Sequence, residues 1–233
     1  MSSRTAVKKQ RPTSYGTQGR AKNAEKGAKA KRSAKTEANR AAMSAKKKNA
    51  GYVDLANAGY PCDTTGSITL LATIAQGASQ QQRIGKKAMY KSIQTRGNIT
   101  QNSTATTNDV AVCIIYDKEP TGTLPNITDI FNTVNALSFL NDTNSDRFRV
   151  LRRWTHCLSG NPVTPATGNE IIDVDEYLDL KSLPVQFKAA ATGAIGDIAY
   201  GALYLVTMGS AAAGTTAATA SLGFRTRFFD TEG

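Results

Sequence analysis

The sequence predicts an all-β body of two packed antiparallel sheets preceded by a disordered cationic arm. Two observations carry this reading. Charge is segregated: residues 1–50 hold fifteen Lys and Arg against only Glu25 and Glu37, net +13, whereas residues 51–233 hold 14 basic and 16 acidic residues, net −2. The overall charge of +11 therefore describes neither part. Composition shifts at the same place. After residue 50, Thr, Ile, Val and aromatic residues dominate, interrupted at short intervals by Gly, Asn, Asp and Pro, which is the pattern of short strands and turns. With 233 residues, 40% apolar and 20% charged, the chain can bury a real core, which excludes a wholly disordered protein.

In the arm the sizeable apolar side chains are Val7, Tyr15 and Met43, too few to offset the entropy of ordering fifty residues. Its cations are Arg4, Lys8, Lys9, Arg11, Arg20, Lys22, Lys26, Lys29, Lys31, Arg32, Lys35, Arg40, Lys46, Lys47 and Lys48. Residues 21–48 are rich in Ala and Lys, so a polyanion that neutralised them would permit transient helix. Such an arm spans about 40 Å as a coil and at most roughly 165 Å when extended. Phosphate neutralisation by such cations is salt-dependent and blind to sequence. A solubility or targeting tail is the bland alternative. Nuclear import through Lys31-Arg32 and Lys46-Lys47-Lys48 is compatible with either.

In the body, strands are expected at 67–74, 88–101, 110–116, 147–158, 170–174, 177–187, 198–208 and 218–229, eight in all. Residues 110–116 are apolar on both faces and should run through the middle of the body. In 147–158, Phe148, Val150, Trp154 and Leu158 alternate with Arg147, Arg149 and Arg153, as in a strand with one buried face; Arg152 breaks the pattern. Between these strands, Ile127, Ile130, Phe131 and Val134 mark a short helix within 126–140, capped by Asn126 or Thr128. The uncharged run 198–224 is long enough to span a bilayer, but 209–221 is mostly Gly, Ala, Ser and Thr. It reads as strand, loop, strand, and no membrane insertion is expected.

Specific residues then carry a resemblance. The run Arg83-Ile84-Gly85-Lys86-Lys87, followed by Lys91-Ser92-Ile93 and Arg96-Gly97-Asn98-Ile99, resembles the start of the shell domain in coat proteins of small circular single-stranded DNA viruses, the geminivirus-like and related groups. Asp146-Arg147-Phe148-Arg149-Val150-Leu151, then Arg152, Arg153 and Trp154, is similar to a later segment of the same families. Coat proteins of satellite plant viruses look similar in plan. The resemblance implies one eight-stranded jelly roll over residues 51–233 and a small icosahedral T=1 shell of sixty copies. It further implies inward-pointing arms that package a single-stranded genome, DNA in preference to RNA. The expected locations are the virion and, during assembly, the host nucleus, with a host import receptor as a further partner.

Beyond the arm, Arg83, Lys86, Lys87, Lys91 and Arg96 are candidates to extend the nucleic-acid footprint; lysines protecting a strand edge are the alternative. Arg147, Arg149, Arg152 and Arg153 suit phosphate or intersubunit carboxylates. Asp173 and Asp175, on one strand face, are weak calcium candidates against ordinary pairing with arginine. Cys62, Cys113 and Cys157 form no even disulfide framework and no short metal-binding spacing, so reduced thiols are expected. His156 and Cys157 are adjacent and would point to opposite strand faces. With one histidine and no Gly-rich phosphate loop, neither an enzyme nor a cofactor is expected. Two rivals remain: a cellular nucleic-acid-binding protein, ribosome- or chromatin-associated, and a membrane-active or receptor-binding β-sandwich.

Overall fold

The computed structural model describes residues 50–102, 107–160, 170–188, 191–214 and 216–231, so the arm's fifteen cations lie outside the described residues. Among the described residues there are nine strands: β1 (Ala50–Cys62), β2 (Ser67–Leu70), β3 (Lys87–Thr100), β4 (Thr107–Asp117), β5 (Phe148–Ser159), β6 (Ile171–Phe187), β7 (Ile198–Tyr200), β8 (Ala202–Gly209) and β9 (Ala218–Asp230). They form two antiparallel sheets, ordered β1-β9-β3-β6-β7 and β2-β8-β4-β5. One α-helical turn, α1 (Ile127–Ile130), and a 3-10 turn at Asp142–Asn144 lie in the connection from β4 to β5. No helix among the described residues is long and apolar enough to cross a membrane.

β4 is the centre of the core, as its two apolar faces predict. Val110, Ala111, Val112, Cys113, Ile114 and Ile115 are all 0% exposed. One face meets the other sheet: the Tyr116 hydroxyl donates to the Pro184 carbonyl of β6 (2.6 Å), and beside it Trp154 Nε1 of the neighbouring β5 donates to Glu176 of β6 (2.7 Å). The opposite face lies under the β4–β5 connection. Arg153, paired with Cys113, donates to the carbonyls of Ser138 and Ala136 and stacks over Phe131, 5.4 Å from the ring centroid. Phe131, Ile130 and Ala136 are themselves buried. The neck of this connection is closed by a bidentate pair from Arg147 to Asp117 (2.9 and 2.8 Å), with the Tyr204 hydroxyl as a third donor at 3.2 Å.

The strand list departs from expectation in three places. β1 was not expected because its alternation reverses: Gly51, Val53 and Leu55 pair on the inward face, then the register shifts between Leu55 and Ala58, and Tyr60 and Cys62 point inward instead. Here two residues of β1, Ala56 and Asn57, oppose the single Gly223 of β9, and one inserted residue reverses the parity of every side chain beyond it. The two strands expected at 170–174 and 177–187 are one, since Asp175 and Glu176 pair with Arg96 and Thr95; the break falls later, where Lys181 and Ser182 adopt left-handed φ of 52° and 62°. The strand expected at 198–208 is split at Gly201 (φ +78°), where a Cβ would lie 2.1 Å from the Pro184 carbonyl oxygen.

β5 also corrects the expected facing. Ile114 pairs with Arg152 but Ile115 pairs with Val150, so Leu151 is an inserted residue. Phe148 and Val150 therefore share a face with Arg153, while Arg152, Trp154, His156 and Leu158 share the other. Trp154 is half-buried, and Arg152 is no anomaly, since it joins Trp154 at Glu176 (2.8 Å). The expected helix shrinks to a single turn, with the Asn126 backbone N–H donating to Asp129 (2.8 Å).

Candidate nucleic-acid interface

The five cations singled out in the body divide into one buried residue and four on the surface. Arg83 is 0% exposed. Its Nε donates to the Ile74 carbonyl (3.3 Å), its Nη1 to the Gly85 carbonyl (2.6 Å), and its guanidinium lies 4.1 Å from the centroid of the Phe187 ring. Arg83 is thus an internal fastener of the loop before β3 and is not available to phosphate, which corrects the sequence expectation. A buried guanidinium is tolerable because carbonyls and an aromatic face replace its water. The same loop is fixed from outside by Asp230, whose carboxylate accepts the backbone N–H groups of Ile84 and Gly85.

With the loop so held, Lys86 and Lys87 are exposed where β3 begins. The next two cations lie on the outward face of the five-stranded sheet. Lys91 sits 5.0 Å from the Phe229 ring centroid. Arg96 pairs with Asp175 at 3.2 Å, both side chains well exposed at 68% and 67%. Asp173 is also exposed on β6, and no group of three or more metal-ligating side chains is found among the described residues. For Asp175 the contact present is therefore the arginine pair.

Sequence reasoning missed two cations on the same face. Register places Arg225 opposite Gln94 and Arg227 opposite Ser92, on β9 between β1 and β3. The signal was available: Arg225 and Arg227 alternate with the buried Phe224, Thr226 and Phe228. Arg225 makes a two-point pair with Asp54 of β1 (2.7 Å each) and lies 4.8 Å from the centroid of the Tyr52 ring. That hydrogen bond from Arg225 holds the Asp54 carboxyl below its ordinary pKa, and Asp54 in turn raises that of Arg225. The outward face thus carries Lys87, Lys91, Arg96, Arg225 and Arg227 with Tyr52, Tyr177 and Phe229 among them, and β1, which directly follows the arm, is its edge strand. Cations interleaved with aromatic rings can hold phosphates and stack unpaired bases.

The remaining arginines serve the fold or the gap between sheets. Arg147 and Arg153 fasten the β4–β5 connection and Arg152 reaches Glu176, while Arg149 is exposed on β5. Cys62 and Cys113 are buried and Cys157 is exposed, all three as free thiols. Burial pushes the thiols of Cys62 and Cys113 up to about 12, while a hydrogen bond to Asp109 raises that of Cys157. His156 and Cys157 pair with Val110 and Asp109 on opposite faces and form no joint site.

Comparison with known proteins places the chain among viral coat proteins. Residues 3–231 match the Geminivirus coat protein/nuclear export factor BR1 family. The capsid protein of Miscanthus streak virus (isolate 91) is 29% identical over 163 residues, 61% of this chain and 63% of that protein. The capsid protein of Tomato pseudo-curly top virus is 27% identical over 165 residues, 62% of this chain and 68% of that protein. Among solved structures, that of infectious bursal disease virus Gx strain aligns with 78% of this chain and 33% of its own at a TM-score of 0.30 and 11% identity, too distant a likeness to bear on the fold. The family match spans nearly the whole chain, arm and body alike, and on that ground the chain belongs to the geminivirus coat protein/nuclear export factor BR1 family.

Proposed function

We propose that this chain is a coat subunit whose body tiles into a closed shell and whose arm condenses a single-stranded genome inside it. The observation that carries the reading is the segregation of +13 in residues 1–50 from −2 in residues 51–233, on a chain of a coat-protein family. Packaging needs both halves: a polycation that accepts any phosphate backbone, and a near-neutral block that does not repel its own copies.

The sheet orders support a single jelly roll made of β1 to β6, β8 and β9, with β7 an added edge strand. A T=1 shell of sixty such subunits is the assembly we favour, with single-stranded DNA as cargo, the virion and host nucleus as locations, and an import receptor reading the arm. The subunit's work is structural rather than catalytic. Lys86, Lys87, Lys91 and Arg96 extend the arm's footprint on the body, joined by Arg225 and Arg227. The family match weighs against a ribosome- or chromatin-associated factor.

The test is assembly and its contents. The full chain should give uniform particles in electron micrographs, and nucleic acid extracted from them should be destroyed by DNase and survive RNase. Removing residues 1–48 should strip the particles of most of their nucleic acid while leaving the β-sheet circular dichroism unchanged. A truncated chain that packages as much as the parent would overturn the role of the arm, and a persistent monomer would overturn the coat-subunit reading.

A further inference from the structure

The β4–β5 connection ends in an apolar tip that its own fold leaves uncovered. Phe139 is 82% exposed and Leu137 64%. Yet the tip is tightly built. Asn132 N–H donates to the Phe139 carbonyl (3.0 Å), Thr133 N–H to the Ser138 hydroxyl (3.0 Å), and Leu137 N–H to the Asn135 side chain (2.8 Å), while Arg153 holds the carbonyls of Ala136 and Ser138 from below. An aromatic side chain presented in this way loses little further freedom when it is buried by a partner, which is how interface anchors gain their energy.

A complementary hollow lies on the open side of the body between β5 and β6, a cleft of about 380 Å³. Val150, Leu151, Leu178 and Leu183 give it apolar walls, with Arg149, Lys181 and Asp179 among its lining residues and exposed to solvent. Both walls are irregular at this point: β5 carries the inserted Leu151, and β6 the left-handed pair Lys181-Ser182. Such irregularities recur where a surface is shaped for contact. Charge also matches in net sign, two cations against one acid lining the cleft. The tip runs directly into the exposed acids Asp142 and Asp146, opposite in sign to Arg149 and Lys181.

We propose that Phe139 of one copy seats in the β5–β6 cleft of a second copy, with Asp142 and Asp146 facing Arg149 and Lys181. The chain's own Phe139 does not fill the cleft, as its exposure shows. Knob and hollow on one polypeptide make a contact that copies can repeat around a closed shell. The inference rests on the coat-subunit reading and adds to it which surfaces meet.

The experiment uses the full chain and follows particle formation by sedimentation across a concentration series. Phe139→Ala should raise the concentration needed for assembly at least about tenfold, the effect of removing an interface anchor, with monomer circular dichroism unchanged. In a Cys157→Ser background, Phe139→Cys combined with Leu183→Cys should give disulfide-linked multimers on oxidation, and neither single variant should. An assembly threshold within twofold of the parent would overturn the contact while leaving the coat-subunit reading intact. Cross-linking of Phe139→Cys to Leu124→Cys, in the groove beside α1, and not to Leu183→Cys would overturn the choice of hollow. A parent chain that never assembles would sink both claims together.

Discussion

The two sheets bury their strands in different ways. In the four-stranded sheet, β8 and β4 from Val110 onward are buried throughout, because the other sheet packs on one face and the β4–β5 connection on the other. In the five-stranded sheet, β3 and β9 bury alternate residues and leave an outward face of cations and aromatic rings. One sheet therefore holds the body together, and the other combines that duty with a surface on which binding residues can change at little cost to the fold. Substitutions should separate the two accordingly.

The largest effect is expected at the cover of the four-stranded sheet. Phe131→Ala should cost about 3–5 kcal/mol, the range for emptying a fully buried aromatic site. A urea denaturation series that gave less than about 1 kcal/mol would show that the connection is an ornament on the sheet. Asp117→Ala comes next, at about 3 kcal/mol, the lower end for breaking a buried pair because Arg147 keeps some contact with water. Unfolding curves that superimpose on those of the parent would contradict the assignment of that carboxylate as the neck of the connection.

Thiol chemistry offers a gentler comparison. At pH 8 a small alkylating reagent should modify Cys157 on the edge strand β5 and leave Cys62 and Cys113 unmodified until the chain unfolds, since both are buried with pKa values near 12. Prompt labelling of Cys113, measured by mass spectrometry, would mean that the cover opens readily. The smallest effect belongs to the outward face. Because Arg225 lowers the pKa of Asp54 in the folded chain, the contribution of that pair is fully present above the ordinary carboxylate range near pH 4 and is lost as pH falls through the lowered value. Asp54→Asn should therefore leave the denaturation midpoint at pH 7 nearly unchanged and slightly flatten its fall on acidification; a large drop at neutral pH would show this face to be structural after all.

What was legible in the sequence follows the same division. Residues 110–116 of β4 announced themselves because a stretch covered on both faces is apolar at successive positions, and no shift of register can disguise that. The alternating strands were harder to read. Parity reverses at Ala56 and Asn57 in β1, at Lys91 in β3 and at Leu151 in β5, so a period-2 pattern read across such a point assigns half the side chains to the wrong face. That is how β1 was missed and how Trp154 was grouped with Phe148. At the candidate interface, the exposed lysines were identified from local sequence alone. Burial of Arg83 was not, because its partners include Phe187, far along the chain, and a run of cations looks the same whether or not one of them has found carbonyls inside. Arg225 and Arg227 went unnoticed for a different reason: they are isolated in sequence and join the other cations only through the pairing of β9 with β3.

The carboxylate–guanidinium clasp between Asp117 and Arg147 has an evolutionary corollary. Everything from Lys118 to Asp146 leaves and re-enters the sandwich through that one doorway, so the exposed side chains at the far end of the excursion can be exchanged without disturbing the alignment of β4 with β5. Related chains can thus change the exposed side chains there, Leu137 and Phe139, while inheriting an unaltered scaffold, provided that the carbonyls of Ala136 and Ser138 stay where Arg153 holds them.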